Sequence, residues 1–334
     1  MSRGMTFMNL TAGKWVSQAI AVAAELGIAD LLKKGTKTAA QIARSVNASE
    51  DPVYRLLRAL GSIGLFAETG NRRFRLTPLG QVLRTDSSEA LGAYSRFVGH
   101  ESTWRPWGEL GHSVRTAEPA FDRVFDMPIF EYFAKTPGAA AVFDAAMTSI
   151  STWESKAVVA AYDFPGISTL LDVAGGHGLM LTTILKAYKK MHGILFDLPH
   201  VTAGAPTLLR SGGVASRCQI ISGDFFTSVP EGGDAYIMKH IIHDWDDERA
   251  IQILRNCHRA MPRGGKVLVV DAVIPSGNAA HFGKLLDLEM LALTPRGRER
   301  TKAEFRDLLQ RSGFKLRRVI PTEIHLSLVE GVRA

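Results

Sequence analysis

Apolar residues recur at helical spacing from Thr11 to Leu32, with Trp15, Ala19, Val22, Ala23 and Leu26 on one face, and this spacing predicts one helix. TAAQIARSV predicts a second, opened by Thr38 as its N-cap and closed at Asn47. A third opens at Ser49 or Asp51, carries Pro52 in its first turn, and turns Val53, Leu56, Leu57, Leu60 and Ile63 inward. GLFAETG and NRRFRLTP follow as two short strands about a Gly70-Asn71 turn. Three helices and a hairpin in this order predict a winged-helix-like module over residues 1–105.

Residues 106–160 read as a helical connector rich in rings and methionine, among them Trp107, Phe121, Phe133, Phe143, Met147 and Trp153. Such a cluster is ordinary core, or the wall of a pocket for a flat apolar ligand. The pattern changes in residues 161–334. TLLDVA, GILFDL, RCQIISGD, DAYIMKHII and KVLVVDAVI are apolar runs separated by helical stretches, and FKLRRVIP and TEIHLSLVEG close the chain. The alternation predicts an α/β fold, an open, mostly parallel seven-stranded sheet with helices on both faces. Only Pro321 and Thr322 separate the last two strands, so they must pair antiparallel. The TKAE tetrad at Thr301 is a capping-box pattern.

Composition narrows the function classes. The chain has 334 residues, of which 46% are hydrophobic and 22% charged, so it folds without staples; its two cysteines, Cys218 and Cys257, build neither a disulfide framework nor a four-cysteine zinc site. The net charge of +7 is unevenly spread: residues 1–105 hold 14 Lys/Arg against 8 Asp/Glu, whereas residues 106–293 hold 16 against 20. A basic first third admits a DNA-binding reading, with Arg55 and Arg58 on a helix and Arg72, Arg73 and Arg75 on the wing. The alternative is an interaction module presenting its first helix to a second subunit. No stretch has the length or apolarity of a signal peptide or a membrane span, so the expectation is a cytoplasmic protein without membrane or nucleic-acid partners.

The candidate binding motif is LLDVAGGHG, residues 170–178, a strand end followed by a glycine turn. It lacks the Gly-Lys-Ser/Thr of a phosphate loop and fails the dinucleotide pattern at Leu181. Asp197, ending the second strand, suits ribose hydroxyls. Asp172 would repel a pyrophosphate but favours a cation, directly or by holding the turn's amides, and S-adenosylmethionine carries a sulfonium and an ammonium.

DVAGGHG, ILFDLP, GDFF, MKHIIHDWDDE, and DLEMLAL followed by RERTKAEF stand in this order at regular intervals. In them the chain resembles the plant-type small-molecule O-methyltransferases, such as the caffeate and hydroxyindole enzymes and their bacterial relatives, over nearly its whole length. The resemblance implies a class I, Rossmann-like methyltransferase domain whose last strand is antiparallel, behind an N-terminal helical, winged-helix-like dimerisation domain, and hence a homodimer. It implies S-adenosylmethionine as cofactor, with S-adenosylhomocysteine as product and no metal. By the same token the backbone of Ala174, Gly175 and Gly176 would face the methionine part, Asp197 the ribose, Asp224 and Phe225 the adenine, and Lys239 and Trp245 the remainder. Ala174 stands where the family often has glycine, and tighter packing is the expected consequence.

HIIHDWDDE holds two histidines and four acids, which alone would fit a metal site or a helix cap. Asp246, Asp247 and Glu248 suit a helix N-terminus; His243 is left over. A phenol, with a pKa near that of tyrosine at about 10, needs its proton removed before it attacks a sulfonium methyl, and imidazole is the natural base. The resemblance makes His243 that base, flanked by Asp271, one methylene shorter than the usual glutamate and therefore in looser contact or replaced, and by Glu299. Read alone, Glu299 is a surface charge among Arg296, Arg298 and Arg300. Met147 and Met290 match positions that clamp a flat acceptor, with Asp244 beside it. The expected activity is methyl transfer to a hydroxyl of a small aromatic acceptor; the alternatives are non-methylating chemistry with the same cofactor, or a ligand-sensing DNA-binding regulator.

Overall fold

The computed structural model describes residues 2–333. They form two compact units, one of residues up to 108 with 130–153, the other of residues 109–129 with 154 onward.

In the first unit the single helix expected from Thr11 to Leu32 is divided. Helices Arg3–Thr11 and Gly13–Glu25 are followed by one turn at Ile28–Leu31, and Gly27, at φ +63°, makes the break. A left-handed glycine just past a helix lets the last carbonyls be capped where a side chain would clash. Trp15, expected inward, is 70% exposed, and Ile63, just past the helix Glu50–Ser62, is exposed as well. Trp15 joins Phe7, Met8 and Leu10 in an apolar stretch that nothing in the unit covers. Thr38 caps the helix Ala39–Ser45 in a reciprocal box with Gln41, and Asn47 closes it at φ +51°. Strands β1 (Lys37–Thr38), β2 (Phe66–Glu68) and β3 (Arg73–Leu76) form an antiparallel sheet in the order β1-β3-β2. The β2–β3 turn is at Gly70-Asn71, as its sequence predicts.

The second unit is built on a seven-stranded sheet of β4 (Thr169–Val173), β5 (His192–Asp197), β6 (Cys218–Ser222), β7 (Ala235–Lys239), β8 (Lys266–Asp271), β9 (Phe314–Pro321) and β10 (Ser327–Arg333). Their order is β6-β5-β4-β7-β8-β10-β9, and only the last strand, β10, runs antiparallel to its neighbours. The central strands are apolar without a break because both faces are covered. Alternate residues feed two cores: Leu170, Leu195, Ile237 and Leu268 on one side, Leu171, Phe196, Tyr236 and Val267 on the other. At about 1.5–3 kcal/mol per fully buried aliphatic or aromatic side chain, these two layers dominate the sheet's stability. The helix Asp247–Ala260 starts on Asp246, whose carboxylate accepts the Arg249 amide, with Asp247 and Glu248 in its first turn. This is the arrangement the acids of the sequence predict.

Candidate active site

The chain adds β5 and β6 on one side of β4, then returns to place β7 and β8 on the other. Loops at the carboxyl ends of β4 and β7 therefore part, leaving the crevice where open α/β sheets bind ligands. The glycine turn leaves β4 there, with Ala174 at φ +55° and Gly176 at +60°. An alanine in this region carries a strain of about 1–2 kcal/mol, so the cost of a methyl at 174 falls on the backbone rather than on packing. Asp197 binds the turn: one carboxylate oxygen accepts the Gly176 amide at 2.8 Å, the other the Leu198 amide at 2.7 Å.

Asp172 does not hold the turn's amides, contrary to one of its two expected roles. It is buried, and neither carboxylate oxygen has a hydrogen-bond partner. Burial pushes its pKa up to about 7, against the pull of Lys239. An unpartnered buried acceptor costs about 1–3 kcal/mol, and a cationic donor at the turn would relieve it. Two strands away, beyond β6, Asp224 accepts the Phe226 amide at 2.8 Å, which folds GDFF into a tight turn. Asn256 donates to the carbonyls of Phe225 and Phe226 at 2.6 and 3.0 Å, and Trp245 meets the Phe226 ring edge-on with centroids 4.8 Å apart. Asp197 lies between these two loops because β5 pairs with both β4 and β6. The residues expected at the cofactor's methionine, ribose and adenine parts thus lie on adjacent strand ends.

His243 sits in the short helical turn Ile242–Asp244 beyond β7 and is only 6% exposed. Its Nδ1 is 2.7 Å from Glu299 Oε1, and its Nε2 is 3.5 Å from Asp244 Oδ1. Burial alone would lower its pKa, but the Glu299 and Asp244 carboxylates outweigh burial and raise it to about 10. Asp244 is itself pushed up to about 6 by burial. Asp271, the last residue of β8, has no hydrogen bond to His243; its Oδ1 accepts the His240 amide at 3.0 Å, and its Oδ2 has no partner. Burial raises this carboxyl as well.

Glu299 is not the surface charge its neighbours suggest, for it is 2% exposed. The segment before it folds over the histidine turn: the Arg298 amide donates to His243 O at 2.7 Å and the Glu299 amide to Asp287 Oδ1 at 2.8 Å. Gly297 permits this, since a Cβ there would lie 2.7 Å from His243 O. Met290 is buried on the helix Gly283–Leu293 of this unit; Met147 is half-buried in the part of the helix Pro137–Ala161 that belongs to the other. Two sets of three side chains, Glu154-His240-His325 and His240-His243-Asp271, each bring one ligand-type atom per residue within 4.8 Å of the others.

Comparison with known proteins decides the family. The O-methyltransferase domain model matches residues 107–315, and the O-methyltransferase dimerisation domain matches residues 8–86. The chain belongs to the O-methyltransferase family. It is 43% identical over 323 residues to the phenazine O-methyltransferase PhzM of Lysobacter antibioticus, covering 97% of this chain and 94% of that one. The crystal structure of LaPhzM superposes with a TM-score of 0.92 at 42% identity, over the full length of both chains. A methyltransferase of calicheamicin biosynthesis, solved in its S-adenosylhomocysteine-bound form, gives 0.88 at 34% identity, again over both full chains. S-Adenosylmethionine is the cofactor of such enzymes, and the unpartnered Asp172 carboxylate, the open turn at Gly176 and the Asp197 carboxylate fit it. Among the described residues no helix of the methyltransferase is long and apolar enough to cross a membrane.

Three buried or half-buried residues around His243 are given no lasting role by the sequence, although His240 stands in the HIIHDWDDE motif. Arg300 is fully buried; its guanidinium donates to Ile242 O and Trp245 O, both at 2.8 Å, and pairs with Asp247 at 2.8 Å. It thereby fixes the turn that carries His243. Glu154, also fully buried, accepts from Lys239 Nζ at 2.8 Å and lies 2.9 Å from His240 Nε2. His240 completes the set. Nothing in the linear sequence pairs Glu154 with residues 85 positions away, and the only signal for Arg300 is its place next to Glu299.

Proposed function

We propose that this methyltransferase methylates a hydroxyl of a small aromatic acceptor, with His243 receiving the hydroxyl proton and Glu299 and Asp271 supporting it. The observation that carries the reading is the buried 2.7 Å contact between His243 Nδ1 and Glu299 Oε1. That contact fixes the tautomer, leaving Nε2 toward the acceptor, and stabilises the imidazolium. When bound, S-adenosylmethionine supplies the electrophilic methyl group. Ala174, Gly175 and Gly176 would line its methionine part, with Asp172 facing its positive charge. Asp197 would hold the ribose diol, Asp224 and Phe225 the adenine, and Trp245 and Lys239 the space beside it. Met290 would flank the acceptor ring, with Asp244 at its polar edge. The relative named for phenazine supports a flat aromatic acceptor. Incubation with methyl-labelled cofactor and a panel of phenols tests the reading: label must pass to the phenol with release of S-adenosylhomocysteine. Release without labelled product, or an oxidised or decarboxylated product, would contradict it.

The basic character of His243 sets the pH dependence. With its pKa near 10, the free site is an imidazolium throughout the neutral range. The productive complex has one proton between imidazole and phenol, so it forms equally from imidazolium and phenolate. Raising the pH therefore increases kcat/KM about tenfold per unit until the acceptor's own pKa, and the rate falls only above about 10. An acid limb that moves with the acidity of the acceptor is the expected result. A fixed inflection near 6.5, the same for every acceptor, would mean that His243 is an ordinary imidazole.

We further propose that two copies associate through the first unit. Phe7, Met8, Leu10 and Trp15 are each more than half exposed, and apolar surface gathered in this way marks an interface. Light scattering is expected to give a dimer at micromolar concentration, and Trp15→Glu with Phe7→Glu a monomer. A monomeric wild type would refute this.

A further inference from the structure

The scheme above gives no role to His240, yet three separate features converge on it. Its backbone is left-handed, at φ +56°, which a non-glycine residue adopts rarely and at a cost of about 1–2 kcal/mol. Its amide donates both to Val270 O at 3.2 Å and to Asp271 Oδ1 at 3.0 Å. Strain of this kind persists where the surrounding structure holds a side chain in one orientation.

The second feature is its carboxylate. His240 Nε2 lies 2.9 Å from Glu154 Oε1, and Lys239 Nζ holds the other Glu154 oxygen at 2.8 Å. Burial alone would raise the Glu154 carboxyl, but His240 and Lys239 outweigh it and hold the group far below the usual carboxylate range. An ionised carboxylate only accepts, so Nε2 carries the proton and Nδ1 is a bare lone pair. Burial also pushes His240 down to about 4, so the ring is neutral where the enzyme works. The third feature is that Nδ1 is buried with no hydrogen-bond partner.

His243 mirrors this arrangement. The two rings lie side by side, centroids 4.8 Å apart and planes 31° from parallel. Each is anchored through one nitrogen on a buried glutamate, Glu154 or Glu299; the other nitrogen of His240 has no partner, and that of His243 lies 3.5 Å from Asp244 Oδ1. If His243 takes the proton of the reacting hydroxyl, the unpartnered acceptor beside it calls for a second donor on the same molecule.

We propose that His240 selects the acceptor, taking a hydrogen bond through Nδ1 from a second hydroxyl or an N–H on the ring carbon next to the hydroxyl that His243 deprotonates. The preferred substrate class is then an ortho-dihydroxy or ortho-amino-hydroxy arene. Two hydrogen bonds of about 2.7–3.0 Å, made to rings whose centroids lie 4.8 Å apart, draw their donors onto neighbouring ring positions. An ortho-methoxy group offers no proton, leaves Nδ1 unpaired and adds bulk. This inference rests on the methyl-transfer reading.

The test compares catechol with phenol and 2-methoxyphenol, acceptors of similar acidity, by the rate of S-adenosylhomocysteine formation. For the wild type, kcat/KM for catechol should exceed that for the other two by about 10- to 100-fold, the effect of one buried hydrogen bond made or left unmade. In His240→Phe, which keeps a flat ring but no acceptor, the ratio should fall to about one, with calorimetric binding of S-adenosylhomocysteine as the check on folding. Equal use of phenol and catechol by the wild type overturns the proposal without recourse to any variant. A ratio that survives His240→Phe overturns it too. Turnover of no phenol at all would instead bring down the methyl-transfer reading, and this one with it.

Discussion

Replacement of His243 by Gln is expected to lower kcat by about 10²- to 10⁴-fold, the usual contribution of a positioned proton acceptor, while binding of S-adenosylhomocysteine is unchanged. Glutamine can still hydrogen-bond to an acceptor hydroxyl, but it can neither take the proton nor pair as a cation with a phenolate. Cofactor binding should survive because most of the groups proposed to face the cofactor are on other strand ends: Asp172 and the glycine turn on β4, Asp197 on β5, Asp224 beyond β6. What remains in the variant comes from alignment of the reacting atoms, which in oriented reactions removes about 7–11 kcal/mol of the barrier. The variant should also lose the fall in rate above pH 10, since His243 is the group that titrates there. Single-turnover kinetics with saturating cofactor and acceptor separates the chemical step from binding. A variant that keeps the wild-type rate would remove His243 from the mechanism.

Arg300→Ala should have the largest effect on stability. The guanidinium is buried, and its loss strips the donor from the carbonyls of Ile242 and Trp245 while leaving Asp247 unpaired. Leaving a buried acceptor without its donor costs about 1–3 kcal/mol, and two carbonyls are affected here, whereas Asp247 is 40% exposed and returns to solvent. Arg300→Lys should recover little, because one ammonium cannot serve two carbonyls and a carboxylate on separate sides of a planar fork. The turn that Arg300 ties holds His243, and a displacement of about 1 Å at a catalytic group can cost about 10²-fold in rate. Both variants should therefore unfold at lower urea concentration than the wild type and, below that range, turn over more slowly with cofactor affinity nearly intact. Unchanged urea midpoints would show that the clamp is replaced by water.

The elements were legible in the chain because their signals are local. Apolar runs flanked by glycine mark β4, β5, β7 and β8; the N-cap at Thr38 and the capping box at Thr301 form as their sequences predict. Failures occur where a local signal has two solutions. Trp15 fits the helical stripe of residues 11–32, yet that stretch is apolar around most of its circumference, and the residues its helix buries are Ala21 and Ala23. Glu299 looked solvated because three arginines surround it in sequence; folding buries Arg300 beneath the histidine turn and draws Glu299 in beside it.

Sequence alone determined the doubly wound sheet and its antiparallel last strand and singled out His243, Asp197 and Asp172 as candidates for chemistry, since each depends on residue type, spacing and order. The pairing of groups was decided only in three dimensions. Whether Asp271 reaches His243 or the amide of His240, and whether Glu154 is a surface charge on a long helix or the buried partner of Lys239 and His240, depends on which strand ends lie side by side. The physical reason is that a carboxylate acts over a few ångströms, and residues 85 positions apart come within that distance only through the packing of the sheet and its helices.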